Sequence, residues 1–388
     1  MPSKLFPSLK LYLETKFLCG SYVLLALTTD ALAAEINQQS SPKFLGINSC
    51  SSSSCHGGAA EKRDECVIFL KRDFHSRAFA TLTTARSERM AEVLGIDSPT
   101  KNVSCTSCHA PFQTVPEKIQ ANRLDVTKGV SCESCHAPAE NWIRSHTRTD
   151  FTREDRVHAG LRDLKNLYVR ANTCVACHQN VSSNLLAAGH PELIFELDGQ
   201  GISQPKHWSE SANWSGAQAW LVGQSVALRE MSWELSRNPT DQKLLEKWSG
   251  LFWLLIKVQD DQLPASEESS TINPTRAGVV QKWSDEMARK AAKMEWSPDL
   301  SKKILNALAQ SSGDFSSKDN RQPIQARRAE RLVLGLDRLV LASETKLKLA
   351  VESDLNELFG LVQSLPDFDP AKFAQALKKF SDKLGEVP

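Results

Sequence analysis

Cys105-Thr106-Ser107-Cys108-His109, Cys132-Glu133-Ser134-Cys135-His136 and Cys174-Val175-Ala176-Cys177-His178 are three copies of one pattern. In each, two cysteines stand three residues apart and a histidine follows at once. A fourth copy is stretched, with Ser51 to Ser54 lying between Cys50 and the pair Cys55-His56. The C-x-x-C-H run is the covalent haem-attachment signature: two thiols bond the porphyrin vinyl groups, and the adjacent imidazole reaches the iron. Four such sites predict four haems within about 130 residues, with His56, His109, His136 and His178 as proximal ligands.

The competing reading is zinc, which Cys/His clusters at this spacing also bind tetrahedrally. A zinc ribbon does not require a histidine behind every second cysteine, and zinc proteins of that kind are mostly intracellular. This chain opens instead with the pattern of a secretory leader. Lys4, Lys10 and Lys16 precede an apolar run from Phe17 to Leu27, and Ala31-Leu32-Ala33 fits the cleavage rule. A leader over 1–34 is expected, with export to the periplasm. The apolar run is shorter than the roughly 20 residues a membrane span needs. No later segment is long and apolar enough for a transmembrane helix.

Ten cysteines divide into eight in the motifs, Cys19 in the leader, and Cys66. Cys66 reads as a small buried hydrophobe. A disulfide with Cys50 is its alternative role if the stretched site holds no haem. The formal net charge of +1 gives no case for nucleic acid or an anionic membrane.

Residue use changes near position 210. All nine histidines lie between His56 and His207, and eight of the nine tryptophans lie at or after Trp208. The expected organisation is a haem domain over 35–210 and an α-helical domain over 211–388, mainly α throughout. In the first part, helical patches read at 75–94, through Phe79, Leu82, Met90 and Val93, and at 161–174. Polar connectors separate them, so a loop-rich chain wraps porphyrins that themselves form the core. In the second part, Trp220, Leu221, Leu228, Met231 and Leu235 recur at helical spacing, as do Leu244, Leu245, Trp248, Phe252, Leu255 and Val258. Pro264 and 265–272 read as a linker. Further helices are expected at 274–295, 298–311, 323–343, 346–364 and 370–384. Pro274, Pro298 and Pro370 follow the N-cap residues Asn273, Ser297 and Asp369. The pattern predicts a helical bundle whose aromatic stripes form its core.

The sixth iron position decides whether a haem carries electrons or binds a small molecule. His75, His146, His190 and His207 are the candidate distal ligands. His158, in the charged run 153–158, reads as a solvated surface residue. Met90 fits its helix stripe, so His/Met ligation is not expected. Bis-His haems have lower potentials than His/Met ones.

Residues 44–210 resemble the multihaem cytochromes of the cytochrome c-554 type. Gly129-Val130-Ser131-Cys132-Glu133-Ser134-Cys135-His136, with His146 downstream, is similar to that family's CESCH site. The segment from Phe74 to Ala80 is similar to its distal-ligand segment, with Ser76 after His75 instead of before it. The resemblance implies covalent haems packed edge to edge, mostly bis-His, relaying electrons in the periplasm, with one haem able to be five-coordinate. The sequence departs from the family at Cys50 to His56, whose spacing resembles sites in the small tetrahaem cytochromes of sulfate reducers. The helical half lies outside the family's pattern.

The leading expectation is therefore a periplasmic tetrahaem c-type cytochrome relaying electrons between a redox donor and an acceptor, a membrane respiratory complex among the candidate partners. The alternative is an enzyme turning over a small nitrogen or sulfur compound at one five-coordinate haem. A third reading, compatible with the first, makes the helical half a docking module, so that its deletion leaves the haem spectra intact.

Overall fold

Sixteen α-helices form the protein among the described residues, with no strand beyond an isolated bridge from Phe44 to Gln120. The computed structural model describes residues 41–258, 274–315, 322–363 and 365–386. The expected leader, Cys19 and the 265–272 linker lie outside the described residues.

The first nine helices are short: α1 Glu65–Arg72, α2 Ala78–Thr81, α3 Ala85–Leu94, α4 Val103–His109, α5 Cys132–His136, α6 Arg153–His158, α7 Leu167–His178, α8 Ser183–Ala187 and α9 Leu197–Ser203. The helix expected over 75–94 is in three pieces, a 3-10 turn Phe74–Arg77, then α2 and α3. Thr84 divides it: its backbone is extended and its hydroxyl accepts from the Ser87 N–H, starting α3 afresh. The helix expected at 161–174 starts at Leu167, because Asn166 caps it by accepting from the N–H groups of Tyr168 and Val169. It continues to His178.

The remaining helices are long: α10 Gly216–Arg237, α11 Gln242–Lys257, α12 Ala277–Lys293, α13 Pro298–Ala309, α14 Gln322–Leu341, α15 Thr345–Leu361 and α16 Pro370–Glu386. Their starts follow the proline pattern. Ser297 accepts from Leu300 N–H ahead of Pro298, and Asp369 accepts from the N–H groups of Ala371 and Lys372 behind Pro370. Pro274 opens a 3-10 turn, Pro274–Arg276, that leads into α12.

Helix α10 is the central one, since every residue from Ala217 to Leu228 is buried. A helix apolar on all faces sits inside its neighbours. Trp220 and Trp248 are fully enclosed, and the Trp248 indole donates to Ser232 Oγ at 2.8 Å.

Residues from Pro42 onward form one compact unit. Its large side-chain core begins before position 210. Leu167, Ala171 and Val175 of α7, with Phe195 and Leu197, belong to the same cluster as the bundle. The rest of the motif-bearing part has little apolar interior: Ile47, Cys66 and Phe69 make a small cluster with Cys132 against it. That poverty of side-chain core is what a cofactor-filled interior requires.

Candidate haem sites

Each strict motif closes a helix. His109, His136 and His178 are the last residues of α4, α5 and α7. On a helix the cysteines at i and i+3 share a face, and the histidine at i+4 lies beside the first of them. The stretched motif reaches a similar closure in a loop. Cys50 follows a 3-10 turn, Ile47–Ser49, and the four serines fold back so that His56 N–H donates to the Cys50 carbonyl at 3.2 Å. The two extra residues are absorbed in that turn.

Every motif histidine faces a second histidine. Ring centroids are 6.2 Å apart for His56 and His146, and 6.0 Å apart for His178 and His75. The separation is 6.4 Å both for His109 with His190 and for His136 with His207. An iron bound by two imidazole nitrogens at about 2 Å each separates those nitrogens by about 4 Å and the ring centres by a little over 6 Å. The four pairs fit that requirement. The interplanar angle is 24° in the His56–His146 pair, and 73°, 71° and 68° in the pairs of His178, His109 and His136. Zinc fits poorly, because among the described residues no group of three or more His, Cys, Asp or Glu could hold a metal ion.

Five of the eight imidazoles have an acceptor placed at Nδ1. His146 Nδ1 lies 2.6 Å from the Ile143 carbonyl, His190 Nδ1 2.8 Å from that of Pro191, and His109 Nδ1 3.1 Å from that of Ala78. His56 Nδ1 lies 2.9 Å from Glu65 Oε2, and His75 Nδ1 2.9 Å from Asp73 Oδ1. A proton held on Nδ1 by an acceptor leaves the Nε2 lone pair for a metal. Burial pushes His109, His178 and His207 below the usual imidazole range. Burial, together with the neighbouring His207, His56 and Arg162, brings His136 to about 4. Neutral imidazole is the ligating form.

The sites adjoin one another in a definite order. The Cys50 and Cys132 thiols lie side by side, as do those of Cys108 and Cys177. Cys135 lies within electrostatic reach of both Cys174 and Cys177. The sequence of neighbours is thus the Cys50 site, the Cys132 site, the Cys174 site and the Cys105 site.

Several residues have positioning roles that the sequence did not assign. Glu133, 3% exposed, accepts from the N–H groups of Leu45, Gly46 and Ala139 at 2.7–3.1 Å, stitching the 42–46 segment to the α5 motif. Arg162 closes the other end of α5, donating to the carbonyls of Ser134 and Cys135. Gly129 has φ of +63°, and a Cβ there would lie 2.4 Å from the His75 carbonyl, to which Val130 N–H donates. Only glycine permits that approach without strain. Asp73, 3% exposed, accepts from His75 N–H, from the His75 ring and from Gln204 Nε2, each at 2.9 Å. Burial alone would push its carboxyl up, but these bonds prevail and draw it down to about 2.

Other residues stand apart. His158 is exposed on α6 and outside all four pairs. No disulfide joins Cys66 to Cys50 among the described residues. Cys66 is 3% exposed and its thiol is pushed up by burial.

Residues 49–137 match the family described as cytochrome c554 and c-prime. No curated protein and no solved structure matches the chain. The family match takes in three of the four motifs, the stretched one included, and supports a c-type cytochrome, an electron-transfer protein with covalently attached haem c. No helix among the described residues is long and apolar enough to cross a membrane.

Proposed function

We propose that the chain is an exported, periplasmic tetrahaem cytochrome that relays electrons between a redox donor and an acceptor. The observation that carries this reading is the set of four histidine pairs at iron-bridging separation. Cys50 and Cys55, Cys105 and Cys108, Cys132 and Cys135, and Cys174 and Cys177 would hold the four haems. His56 with His146, His109 with His190, His136 with His207, and His178 with His75 would close their axial positions. Bound haem c supplies a reversible one-electron iron couple.

The chain's own part is to hold and insulate. An iron held by two facing imidazoles would have no open coordination position, which favours conduction over chemistry on a small molecule. The Nδ1 acceptors of His56, His75, His109, His146 and His190 keep those five rings from turning. The unbroken order of neighbouring sites supports transfer from the Cys50 end to the Cys105 end, or the reverse. An enzyme at a five-coordinate haem would need a motif histidine without a facing partner, and all four motif histidines have one.

A pyridine haemochrome assay with intact-protein mass tests the count. Four covalent haems are expected, and three would remove the Cys50 site from the relay. Electron paramagnetic resonance of the oxidised protein tests the ligation. Only low-spin iron is expected, and a dominant high-spin signal would sink the bis-His reading.

A further inference from the structure

The four axial pairs differ in what stands behind them. In two, a carboxylate oxygen holds the Nδ1 of one ligand: Glu65 holds His56 of the Cys50 site, and Asp73 holds His75 of the Cys174 site. In the Cys105 site both acceptors are peptide carbonyls, from Ala78 and Pro191. In the Cys132 site neither histidine has a carboxylate behind it, His207 Nδ1 is buried without a hydrogen bond of standard geometry, and Arg162 lies close to His136.

Building on the tetrahaem reading, we propose that Asp73 and Glu65 are positioning residues that set the Cys174 and Cys50 sites at lower potential than the two sites whose histidines have no carboxylate bonded behind them. A carboxylate accepts a charge-assisted bond, roughly twice as strong as a neutral one. It draws the Nδ1 proton away and makes Nε2 a stronger donor, which stabilises oxidised iron. Its negative charge favours the more positive oxidised state as well.

Other influences have to be weighed against this. Exposure acts in the same direction, since the side chains of His56 and His75 are 40% and 34% exposed and water favours the more charged form. Arg162 acts oppositely on the Cys132 site and widens the difference. Both carboxylates also act on His207 at longer range, so their charge alone would lower the Cys132 site a little. The hydrogen bond is what distinguishes the site each carboxylate serves. Asp73 has the larger effect of the two, because its side chain is 4% exposed against 22% for Glu65, and water screens it less. In the order of neighbouring sites, lower and higher potentials then alternate.

The test is redox titration of the full-length holoprotein, followed by electron paramagnetic resonance. Asp73→Asn should raise the midpoint of one haem by at least a tenfold change in its reduced-to-oxidised ratio, equal to 59 mV for one electron. The g-values of that same component should shift, while the other three midpoints move by less. Glu65→Gln should raise a different single midpoint by a smaller factor, and Asp73→Glu should restore the first. Unmoved midpoints, equal shifts in all four, or Asp73→Glu behaving like Asp73→Asn would overturn the proposal. If Asp73→Asn loses its haem, Glu65→Gln decides the matter by the same criterion. The unaltered protein is counted first. Fewer than four low-spin haems there would defeat the tetrahaem reading itself, whereas four with unmoved midpoints in the variants would defeat only this assignment.

Discussion

At the scale of single residues, the angle between facing rings has a spectroscopic consequence. Near-perpendicular imidazole planes leave the two iron π-type orbitals close in energy, and the resulting low-spin signal is strongly anisotropic. Near-parallel planes separate those orbitals and give an ordinary rhombic signal. With angles of 24° in one pair and 68–73° in the other three, the oxidised protein should show one rhombic species and three anisotropic ones. Counting the components by integrated resonance checks this. Glu133 offers a second prediction. Glu133→Ala leaves the Leu45, Gly46 and Ala139 N–H groups without their acceptor and should cost roughly 3 kcal/mol in denaturant unfolding of the holoprotein. His158→Ala, by contrast, should leave both the spectrum and the stability unchanged. The paired histidines could be singled out in the sequence because residue type and clustering mark candidate ligands. Glu133 and Asp73 could not, because a buried carboxylate acquires its role from donors that are distant along the chain or contributed by a folded turn.

Among the elements, α7 is the hinge of the architecture. It carries Cys174, Cys177 and His178 at its C-terminal end, and its opposite face is fastened to α10 and α12. Tyr168 donates to Asp285 Oδ1 at 2.6 Å, Arg229 donates to Asp285 at 2.8 Å and to Asn172 at 2.6 Å, and the Arg289 guanidinium lies 4.3 Å from the centre of the Tyr168 ring. Burial would raise the Asp285 carboxyl, but bonds from Tyr168, Arg229 and Arg289 outweigh it and hold the group below its usual range. A carboxylate whose folded value is depressed stabilises the fold above its unfolded value of about 4 and loses that contribution as pH falls through the lower, folded value. Asp285→Asn should therefore cost roughly 1–3 kcal/mol at neutral pH. The gap from the unaltered protein should narrow as urea unfolding is repeated below pH 4. The helix starts at Pro298 and Pro370 could be read from local capping chemistry. The division at Thr84 could not, because apolar spacing continued through it while the hydroxyl cap set a new start.

For the whole molecule, the side-chain core bears on what the helical half does. Leu167, Ala171 and Val175 are buried with the bundle, so removing residues 211–388 would expose the inner face of α7. Such a deletion should lose the low-spin signal of the Cys174 site, and mass should report how many haems remain attached. Intact spectra would instead favour a detachable docking module. Composition alone placed a change near position 210, because histidine and tryptophan segregate there. The packing that crosses that point was hidden, since α7 shows its motif plainly and its apolar face only through spacing within a short helix.

The ligand pairs carry one more consequence, which lies in their order along the chain. The first partners run His56, His75, His109 and His136, and the second partners run His146, His178, His190 and His207 in the same succession. Each closure spans between about 70 and 100 residues, and all four closures overlap without any being nested inside another. The chain is threaded like a queue in which the first to wait is the first served. A polypeptide emerging from its N-terminus would have all four motif-side or early histidines outside before any partner arrived. The sites would then complete in fixed succession, with His56 closing first and His136 last. Once finished, each closure would share part of its span with the other three, so the opening of one would lengthen the free chain available to its neighbours.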